Sequence, residues 1–231
     1  MKKKLIIASY GLEPKHITLE TLSALKKCSA LFSHSLGAGS ETLVSKLCPE
    51  LRALKKMPQA GIARELKKAF SKHGTVGFLT YGNPFFLNFT AALLAREMSA
   101  IGVEVRVLPA VSSFDSIVNM LDLNKFSLKG LRLVDIAACM EDVALTPDMD
   151  TLFFMVGDLN LKGNGKFRSV FLKELSSAYP AANPVFLINC PSIENSYGRI
   201  IATSIGSLAR SFSGVDKATT MFIPSPGKGK I

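Results

Sequence analysis

The stretch Thr75-Val-Gly-Phe-Leu-Thr-Tyr-Gly-Asn-Pro84 passes from a nearly continuous apolar run into a turn made of glycine, asparagine and proline. The apolar half predicts a buried β-strand, and the turn predicts a loop at its carboxyl end. A helical pattern follows over residues 90–101, and Val103-Glu-Val-Arg-Val-Leu108 predicts the next strand. This order of strand, helix and strand, with nearly uniform apolar strands, indicates a parallel sheet that is covered by helices on both faces.

The segments before this stretch extend the same pattern towards the N-terminus. Residues 5–9 and 30–33 are short apolar runs, so we expect two more strands there. Between them, the hydroxyl of Thr18 is placed to accept a hydrogen bond from the first turn of a helix. Residues 40–47, and the spacing of apolar residues over 62–70, predict two further helices.

The pattern changes after residue 113. A helix is predicted after Ser113 as far as Leu123. Beyond it, five runs look like strands and one segment near residues 169–178 looks like a helix, whereas a doubly wound sheet would alternate the two. We therefore predict an N-terminal α/β domain over residues 1–112 and a C-terminal mixed-sheet α+β domain over residues 113–231. The predicted strands of the second domain are residues 131–137, 151–156, 184–188, 199–204 and 219–223.

The composition agrees with a folded protein. Of the 231 residues, 48% are hydrophobic and 20% are charged, which suffices for a substantial core and excludes a disordered chain. The 17 glycines and 11 prolines follow no fixed period, which excludes collagen-like chains, solenoids and propellers.

The net charge of +10 could indicate an anionic partner. Half of this excess, however, lies on the lysines at the two chain ends, which are Lys2, Lys3, Lys4, Lys228 and Lys230. No basic run is interleaved with aromatic residues, so a nucleic acid ranks low among the partners that we expect.

Neither a metal site nor a membrane segment is expected. The four cysteines and three histidines are far apart and lack the spacing of metal ligands. The apolar run after the initial lysines is shorter than that of a secretion signal, and the uncharged stretch over residues 74–95 is interrupted by Gly82, Pro84 and Asn88. We therefore expect a cytoplasmic protein.

Three loops are the first candidates for a binding site, because ligands of parallel sheets bind at the carboxyl ends of the strands. They begin at Tyr10, Tyr81 and Pro109. Each has a purely structural interpretation when it is considered alone: the Tyr81 loop as a tight turn, and Ser112 and Ser113 as caps of the next helix. The glycine-rich residues 157–166 match no phosphate-binding fingerprint and predict an exposed loop.

Considered together and in order, these segments resemble the tetrapyrrole methylase superfamily, whose members transfer a methyl group from S-adenosyl-L-methionine. Tyr81-Gly-Asn-Pro-Phe-Phe86 is similar to the family's Gly-Asp-Pro-x-x-Phe-like loop. Leu108-Pro-Ala-Val-Ser-Ser113 is similar to its strand end followed by Pro-Gly-Val-Ser-Ser. Thr151-Leu-Phe-Phe-Met-Val-Gly157 resembles the strand that reaches the adenine.

Within this superfamily, three features resemble the borosin branch, which N-methylates backbone amides of ribosomally made peptides. They are His16-Ile-Thr-Leu-Glu-Thr-Leu-Ser23, the Tyr-Gly-x-Pro pattern at Tyr81, and the ending Thr220-Met-Phe-Ile-Pro224. The borosin branch has Tyr-Gly-His-Pro and a Thr-Leu-Tyr-Ile-Pro-like strand at the last two places.

The resemblance implies a homodimer with the S-adenosyl-L-methionine site in a cleft between the two domains, and S-adenosyl-L-homocysteine as the product. It assigns six cofactor-binding residues to the first domain and three to the second: Tyr81, Gly82, Asn83, Phe86, Ser112 and Ser113, then Met155, Cys190 and Thr220. Three features differ from the family: Ala110 stands where a glycine is usual, Asn83 stands where an aspartate or histidine is usual, and the glycine-rich first loop is reduced to Tyr10-Gly-Leu-Glu-Pro14.

Tyr81 is the catalytic residue that the resemblance supplies. An amide nitrogen becomes nucleophilic when its proton is removed or when charge on its carbonyl oxygen is stabilised, and a tyrosine or arginine can do this. The borosin branch has a cluster of arginine and tyrosine before the helix that leads into the loop. In this chain the corresponding residues 52–58 contain no tyrosine. Only Arg52, or Arg64 further along the chain, could take the place of that cluster.

Three functions are open on the sequence alone. The first is methylation of a peptide backbone that is supplied as a separate chain. The second is C-methylation of a tetrapyrrole such as precorrin or uroporphyrinogen, whose carboxylates would suit the basic surplus. The third is a catalytically impaired, cofactor-binding subunit that acts by interaction. Methylation of ribosomal RNA ranks behind these three.

Overall fold

The computed structural model describes residues 2–36, 38–48, 50–125, 130–140, 145–193 and 196–226. The chain divides into two units, Met1–Asp115 with Ser192–Ser196, and Ser116–Pro191 with Tyr197–Ile231. The sequence placed the boundary between residues 112 and 113, and the return of Ser192–Ser196 to the first unit has no counterpart in that prediction.

The apolar run at Thr75–Thr80 is the middle strand of a five-stranded sheet in the first unit. The strands of this sheet are β1 (Lys4–Ser9), β2 (Ala30–Ser33), β3 (Leu51–Ala53), β4 (Thr75–Thr80) and β5 (Glu104–Val107). Their order is β3-β2-β4-β1-β5, and every pair is parallel. The predicted parallel sheet is therefore confirmed. The edge strand β3 was missed, because three residues are too few to show a pattern.

Helices cover both faces of this sheet, as predicted. They are α1 (Leu19–Leu25), α2 (Ala38–Ser45), α3 (Gln59–Ala69) and α4 (Phe89–Ala100). The next helix, α5 (Ser113–Leu121), begins in this unit. On one face Ile7 and Phe78 pack in a buried cluster with Leu66 of α3 and Leu94 of α4. On the other face Ile6 and Leu79 pack with Leu25 of α1 and Val44 of α2. The alternation of neighbouring strand residues between the two clusters follows from the two-residue period of a strand.

Thr18 begins α1 as the sequence predicts. Its Oγ1 accepts a hydrogen bond from the backbone N–H of Thr21 at 3.0 Å, which satisfies one of the amides that a helix start leaves without a partner. The predicted end of α2 at Pro49 lies outside the described residues, as do Lys228 and Lys230.

The second unit contains a mixed sheet, which confirms the predicted change of architecture. Its strands are β6 (Leu131–Asp135), β7 (Asp150–Phe154), β8 (Pro184–Asn189), β9 (Arg199–Ser204) and β10 (Thr219–Ile223), in the order β6-β7-β10-β8-β9. The pair β6 and β7 is parallel, and the other three pairs are antiparallel. The helices of this unit are the rest of α5, α6 (Gly165–Ala178) and the short α7 (Leu208–Ser211).

The core of the second unit lies between the sheet and α6. Phe171 and Leu175 of α6 pack in one buried cluster with Phe153, Leu187 and Met221 of the strands. The Phe153 and Phe171 rings meet edge to face with their centroids 5.5 Å apart. Within the described residues, no helix is long and apolar enough to cross a membrane.

Candidate active site

The loops that follow four of the parallel strands meet at the carboxyl edge of the first sheet. The backbone N–H of Gly82, after β4, donates to the carbonyl oxygen of Gly11, after β1, at 3.0 Å. The side chain of Asn83 donates through Nδ2 to the carbonyl oxygen of Ala110, after β5, at 3.3 Å. The structure therefore joins the three loops that the sequence singled out.

The fourth loop, which follows β2, joins through a tyrosine. The Tyr10 hydroxyl donates to the carbonyl oxygen of Ser35 at 2.7 Å, and the buried Tyr10 ring meets the Tyr81 ring edge to face at 6.1 Å. No sequence signal pointed to a role of the β2 loop, because His34 and Ser35 occur there without any motif.

The Tyr81 loop is held in one shape by its own backbone and by Asn83. The Asn83 Oδ1 accepts from the backbone N–H of Phe85 at 3.0 Å, and the Asn83 carbonyl accepts from that of Phe86 at 3.1 Å. Gly82 has φ +64°, and nothing lies within 4 Å of the place where its Cβ would be. A ligand therefore has room to approach this backbone closely.

Gly11 shows why the first loop needs a glycine. It has φ +73°, and an added Cβ would lie 2.5 Å from the Cβ of His16 and 3.4 Å from that of Val111. The loops after β1 and β5 thus pack against a position that only glycine fits.

In the third loop, Ser112 lies directly before α5 and bonds to its first turn, as the interpretation of this loop as a helix cap predicts. Both its backbone N–H and its hydroxyl donate to Oδ2 of Asp115, at 2.7 and 2.6 Å, and Ser113 is the first residue of α5. The carboxylate of Asp115 thus reaches back to the backbone N–H before the helix, which is one half of a capping box. The Phe114 ring lies beside the Phe86 ring, with centroids 6.3 Å apart, so the second and third loops also meet through aromatic side chains.

In the second unit, the three residues that the resemblance assigns to the cofactor lie at one end of three neighbouring strands. Phe153 pairs with Met221 in β10, so Met155 lies two residues beyond that pair. Thr220 pairs with Ile188 in β8, so Cys190 also follows two residues later. Sequence resemblance alone could assign these residues, but only the strand register brings them together.

The three residues differ in how they are held. Met155 is 40% exposed and has φ +60°, a left-handed backbone conformation that residues other than glycine rarely adopt. Thr220 and Cys190 are buried. Burial raises the pKa of the Cys190 thiol to about 11, and a hydrogen bond with Ser116 opposes this rise only in part.

A hydrogen-bond network that the sequence did not reveal lies at the same ends of β8 and β10. The Asp216 carboxylate accepts hydrogen bonds from Asn189 Nδ2 at 2.8 Å and from Thr219 Oγ1 at 2.9 Å. Partial burial alone would raise the pKa of Asp216, but these bonds and those from two backbone amides hold it below its ordinary value. A Cβ on Gly157 would overlap the Asp216 carbonyl oxygen, so the backbone is packed tightly here.

The predicted loop over residues 157–166 is in large part helical. A short 3-10 helix covers Val156–Asn160, and α6 already begins at Gly165. The physical reason is long-range: Asn160 Nδ2 donates to the carbonyl oxygens of Phe212 and Val215, at 3.2 and 2.9 Å. The prediction of a loop is therefore wrong for residues 157–160 and 165–166, whereas residues 161–164 form a loop, and most of the stretch from residue 160 onward is exposed as predicted.

Arg52, one of the two arginines considered for catalysis, pairs with a carboxylate and an aromatic ring near β3. Its guanidinium bonds to Glu50 Oε1 at 2.6 Å and lies 5.7 Å from the centre of the Phe32 ring. Arg64 lies exposed on α3. Among the described residues, no group of three His, Cys, Asp or Glu side chains is arranged to hold a metal ion.

Known structures share this fold. A uroporphyrin-III-C-methyltransferase from Thermus thermophilus has a TM-score of 0.72 and 17% identity, over 97% of this chain and 93% of that one. The same enzyme complexed with S-adenyl homocysteine has a TM-score of 0.70 and 16% identity, over 96% and 97% of the two chains. The methyltransferase CobJ has a TM-score of 0.74 and 10% identity, over 100% and 97%.

The sequence comparisons identify the family. No curated protein matches the chain. The sequence model of the family Tetrapyrrole (Corrin/Porphyrin) Methylases matches residues 4–125, which include the first sheet and the joined loops. Because this match spans more than half of the chain, the protein belongs to the tetrapyrrole methylases.

Proposed function

We propose that this protein is an S-adenosyl-L-methionine-dependent methyltransferase. The observation that carries the proposal is the Tyr81 loop, which lies at the ligand-binding edge of the sheet and leaves open space over the left-handed Gly82. Membership of the tetrapyrrole methylases supports it, as does the S-adenyl homocysteine bound to the Thermus thermophilus enzyme of the same fold.

The residues of this edge fit such a cofactor. Tyr81 exposes 40% of its surface, and an aromatic face beside a sulfonium is favourable. Among the described residues, the buried Nδ1 atoms of His16 and His34 and the Oγ of Ser35 have no hydrogen-bond partner. Buried polar atoms normally have partners, so this edge offers hydrogen-bonding sites to a polar ligand.

The residues proposed to hold the cofactor are those that the family resemblance assigns. They are Tyr81, Gly82, Asn83, Phe86, Ser112 and Ser113 in the first unit, and Met155, Cys190 and Thr220 in the second. When bound, the cofactor supplies a methyl group activated by a positively charged sulfur. The chain's own contribution is to hold the acceptor atom in line with that methyl group, since alignment removes much of the entropic barrier.

Tyr81 is the proposed catalytic residue. Its ring is fixed against Tyr10, which is itself tied to the β2 loop, so the side chain starts from a defined position. For an amide acceptor, the Tyr81 hydroxyl would donate a hydrogen bond to the carbonyl oxygen and stabilise the charge that develops there. For a carbon acceptor, the same side chain would serve to position the substrate.

The acceptor that we propose first is the backbone amide of a separate peptide. The support is the borosin-like sequence of three segments, at His16, Tyr81 and Thr220. In the structure these segments are the cap of α1, the central loop and a strand of the second sheet.

A tetrapyrrole carbon is the second candidate acceptor. It is favoured by the family itself and by the fold of the uroporphyrin-III-C-methyltransferase, so it is supported at least as well as the peptide. The homodimer and the cytoplasmic location remain predictions from the sequence, and sedimentation would test the first of them.

The test is methyl transfer in vitro. The purified protein is incubated with S-adenosyl-L-methionine and either a peptide set or uroporphyrinogen III, and mass spectrometry follows the gain of methyl groups and the release of S-adenosyl-L-homocysteine. Transfer to either class confirms the proposal and identifies the acceptor. Cofactor binding without transfer to any acceptor would favour the impaired, interacting subunit instead.

A further inference from the structure

The residue that follows β2 is a histidine whose ring is held in place while one nitrogen stays unused. Among the described residues, the buried Nδ1 of His34 has no hydrogen-bond partner. The ring is stacked on Phe78 of β4, with centroids 5.2 Å apart and an angle of 2° between the two planes. Because a buried polar atom without a partner is costly, this arrangement indicates a group that acts on a ligand.

His34 lies at the carboxyl edge of the sheet, next to the loop that is proposed for catalysis. In the register of the two strands, Ser33 of β2 pairs with Leu79 of β4. His34 therefore follows at the level of Thr80, which directly precedes Tyr81. Neighbouring strands are only about 4.8 Å apart, so the two chains carry His34 and Tyr81 to the same part of the edge.

The next residue, Ser35, connects the same loop to Tyr81 by a second route. Its carbonyl oxygen accepts a hydrogen bond from the Tyr10 hydroxyl at 2.7 Å, and the Tyr10 ring meets the Tyr81 ring edge to face. The residues proposed to hold the cofactor lie in the loops after β4 and β5 and in the second unit. The polar atoms of the β2 loop are therefore left for the methyl acceptor.

His34 is suited to take up a proton. Burial lowers its pKa, so the ring is neutral at pH 7, and one nitrogen of a neutral ring carries a lone pair. Residues 75–80 of β4, against which the ring stacks, include no titratable side chain. The charged residues and the other histidine in the loops of this edge are Glu13, Lys15, His16, Lys55 and Lys56. Within the described residues, none of them contributes to the lowered pKa of His34, which burial causes.

Methyl transfer releases a proton, because the methyl group replaces a hydrogen of the acceptor. We infer that His34 is the catalytic base that accepts this proton at Nδ1. This inference rests on the proposed methyltransferase function and adds a residue to its active site. An electron pair of the acceptor forms the bond to the methyl carbon, and the bond from that carbon to sulfur breaks with its electrons left on sulfur. The proton moves from the acceptor to His34, while the Tyr81 hydroxyl stabilises or positions the acceptor.

The test compares methyl transfer by the wild type, His34→Gln, His16→Gln and the control His73→Gln. The acceptors are uroporphyrinogen III and the peptide set of the transfer experiment. Glutamine is a polar side chain that cannot take up a proton near neutral pH. His73 is a matched control because it pairs with Glu50 at 3.3 Å and lies before β4, at the opposite edge of the sheet.

We expect His34→Gln to transfer methyl groups about a hundredfold more slowly than the wild type, as for the loss of a general base. The wild-type rate should fall as the pH drops below about 6.5, because a protonated ring accepts no proton. NMR titration of the histidine rings should place the midpoint of this fall at the pKa of His34. The fall should be absent from His34→Gln and present in His16→Gln, and His73→Gln should behave as the wild type.

Two further measurements separate a base from a residue that only supports the fold. His34→Ala leaves space beside Phe78, so added imidazole should restore part of its transfer rate. The same imidazole should not help His34→Gln, because the glutamine occupies that space. Calorimetry should show that His34→Gln binds S-adenosyl-L-homocysteine as tightly as the wild type does, which excludes unfolding and loss of the cofactor as causes.

Three results would overturn the inference alone, given transfer by the wild type. They are a wild-type rate in His34→Gln, a slow His34→Gln that keeps the fall in rate at low pH, and loss of that fall in His16→Gln instead. Weaker binding of S-adenosyl-L-homocysteine by His34→Gln would overturn it as well, because His34 would then act on the cofactor. No binding of this ligand and no transfer by folded wild type would overturn the proposed function itself.

Discussion

The loop edge of the first unit and the strand ends of the second unit are built in opposite ways. At the first, Gly82 has open space over its missing side chain, and Tyr81 is partly exposed. At the second, a side chain on Gly157 would overlap the backbone of Asp216, and Thr220 is buried. A glycine can thus leave open space at one place and allow close packing at another, and the residue type alone does not distinguish the two.

The difference teaches where substitutions should affect binding and where they should affect stability. At the loop edge of the first unit, hydrogen bonds such as that from Asn83 shape the loops but leave space beyond them. At the strand ends of the second unit, polar side chains such as Asn189 and Asp216 bond to one another. Substitutions at the first should change ligand affinity with little loss of stability, and those at the second should do the reverse.

The largest expected effect concerns the buried thiols, of which each unit has two. All four cysteines are buried and reduced. Burial, together with the nearby Cys48 thiol, raises the pKa of Cys28 to about 12, and burial raises that of Cys190 to about 11. At pH 8 the thiolate fraction of Cys28 is therefore on the order of a thousandfold below that of an exposed thiol.

Titration with Ellman's reagent checks this prediction. We expect no rapid reaction in the native protein and reaction of four thiols in guanidinium chloride. A fast reacting thiol in the native state would show that one of the two units opens readily, and peptide mapping would identify which.

The next largest effect is a loss of stability at the strand ends of the second unit. Gly157→Ala forces a Cβ into the Asp216 carbonyl group, and the backbone cannot move aside cheaply, so we expect a loss of about 3 kcal/mol or more. Gly82→Ala adds only the strain of a left-handed alanine, about 1 kcal/mol. Urea denaturation compares them, and equal losses would remove the contrast between the two regions.

A smaller effect is expected at Asp216. Its folded pKa is depressed, so its contribution to stability is present above the unfolded value, about 3.9, and is lost as the pH falls through the folded value. Because solvent screens this exposed carboxylate, Asp216→Asn should cost at most about 1 kcal/mol at pH 7, and it should flatten the acid side of the stability curve. An unchanged curve would mean that the network with Asn189 and Thr219 contributes little.

The smallest effect belongs to His34. Its ring is stacked on Phe78 with centroids 5.2 Å apart, and burial lowers its pKa. Stability from the neutral ring is therefore present above the unfolded value, about 6.5, and is lost as the pH falls below it. In His34→Gln the drop in unfolding free energy between pH 7 and pH 5.5 should shrink by about 0.5 kcal/mol. If the unfolding free energy of the variant drops as much as that of the wild type, other titrating groups cause the drop.

The sequence predicted the local elements well and the contacts between distant segments poorly. Thr75–Thr80, Ala30–Ser33, Arg199–Ser204 and Thr219–Ile223 match the predicted strands because each is an apolar or alternating run bounded by turn residues. The loop after β2 and the Asp216 network were missed, because their partners lie far away in sequence and belong to no motif.

The candidate site shows the same division. That the loops at Tyr10, Tyr81 and Pro109 share one edge follows from the rule for parallel sheets, and the hydrogen bonds from Gly82 and Asn83 confirm it. Which residues bind the cofactor stays a prediction from family resemblance.

The central claim is that the open space over Gly82 is a cofactor site, and calorimetry with S-adenosyl-L-homocysteine tests it most directly. Gly102 provides the control, because it also has positive φ and open space but lies between α4 and β5 at the opposite edge of the sheet. We predict micromolar binding by the wild type and by Gly102→Val, and binding at least about tenfold weaker by Gly82→Val. Equal affinity of all three proteins, or no binding by folded wild type, would contradict the account.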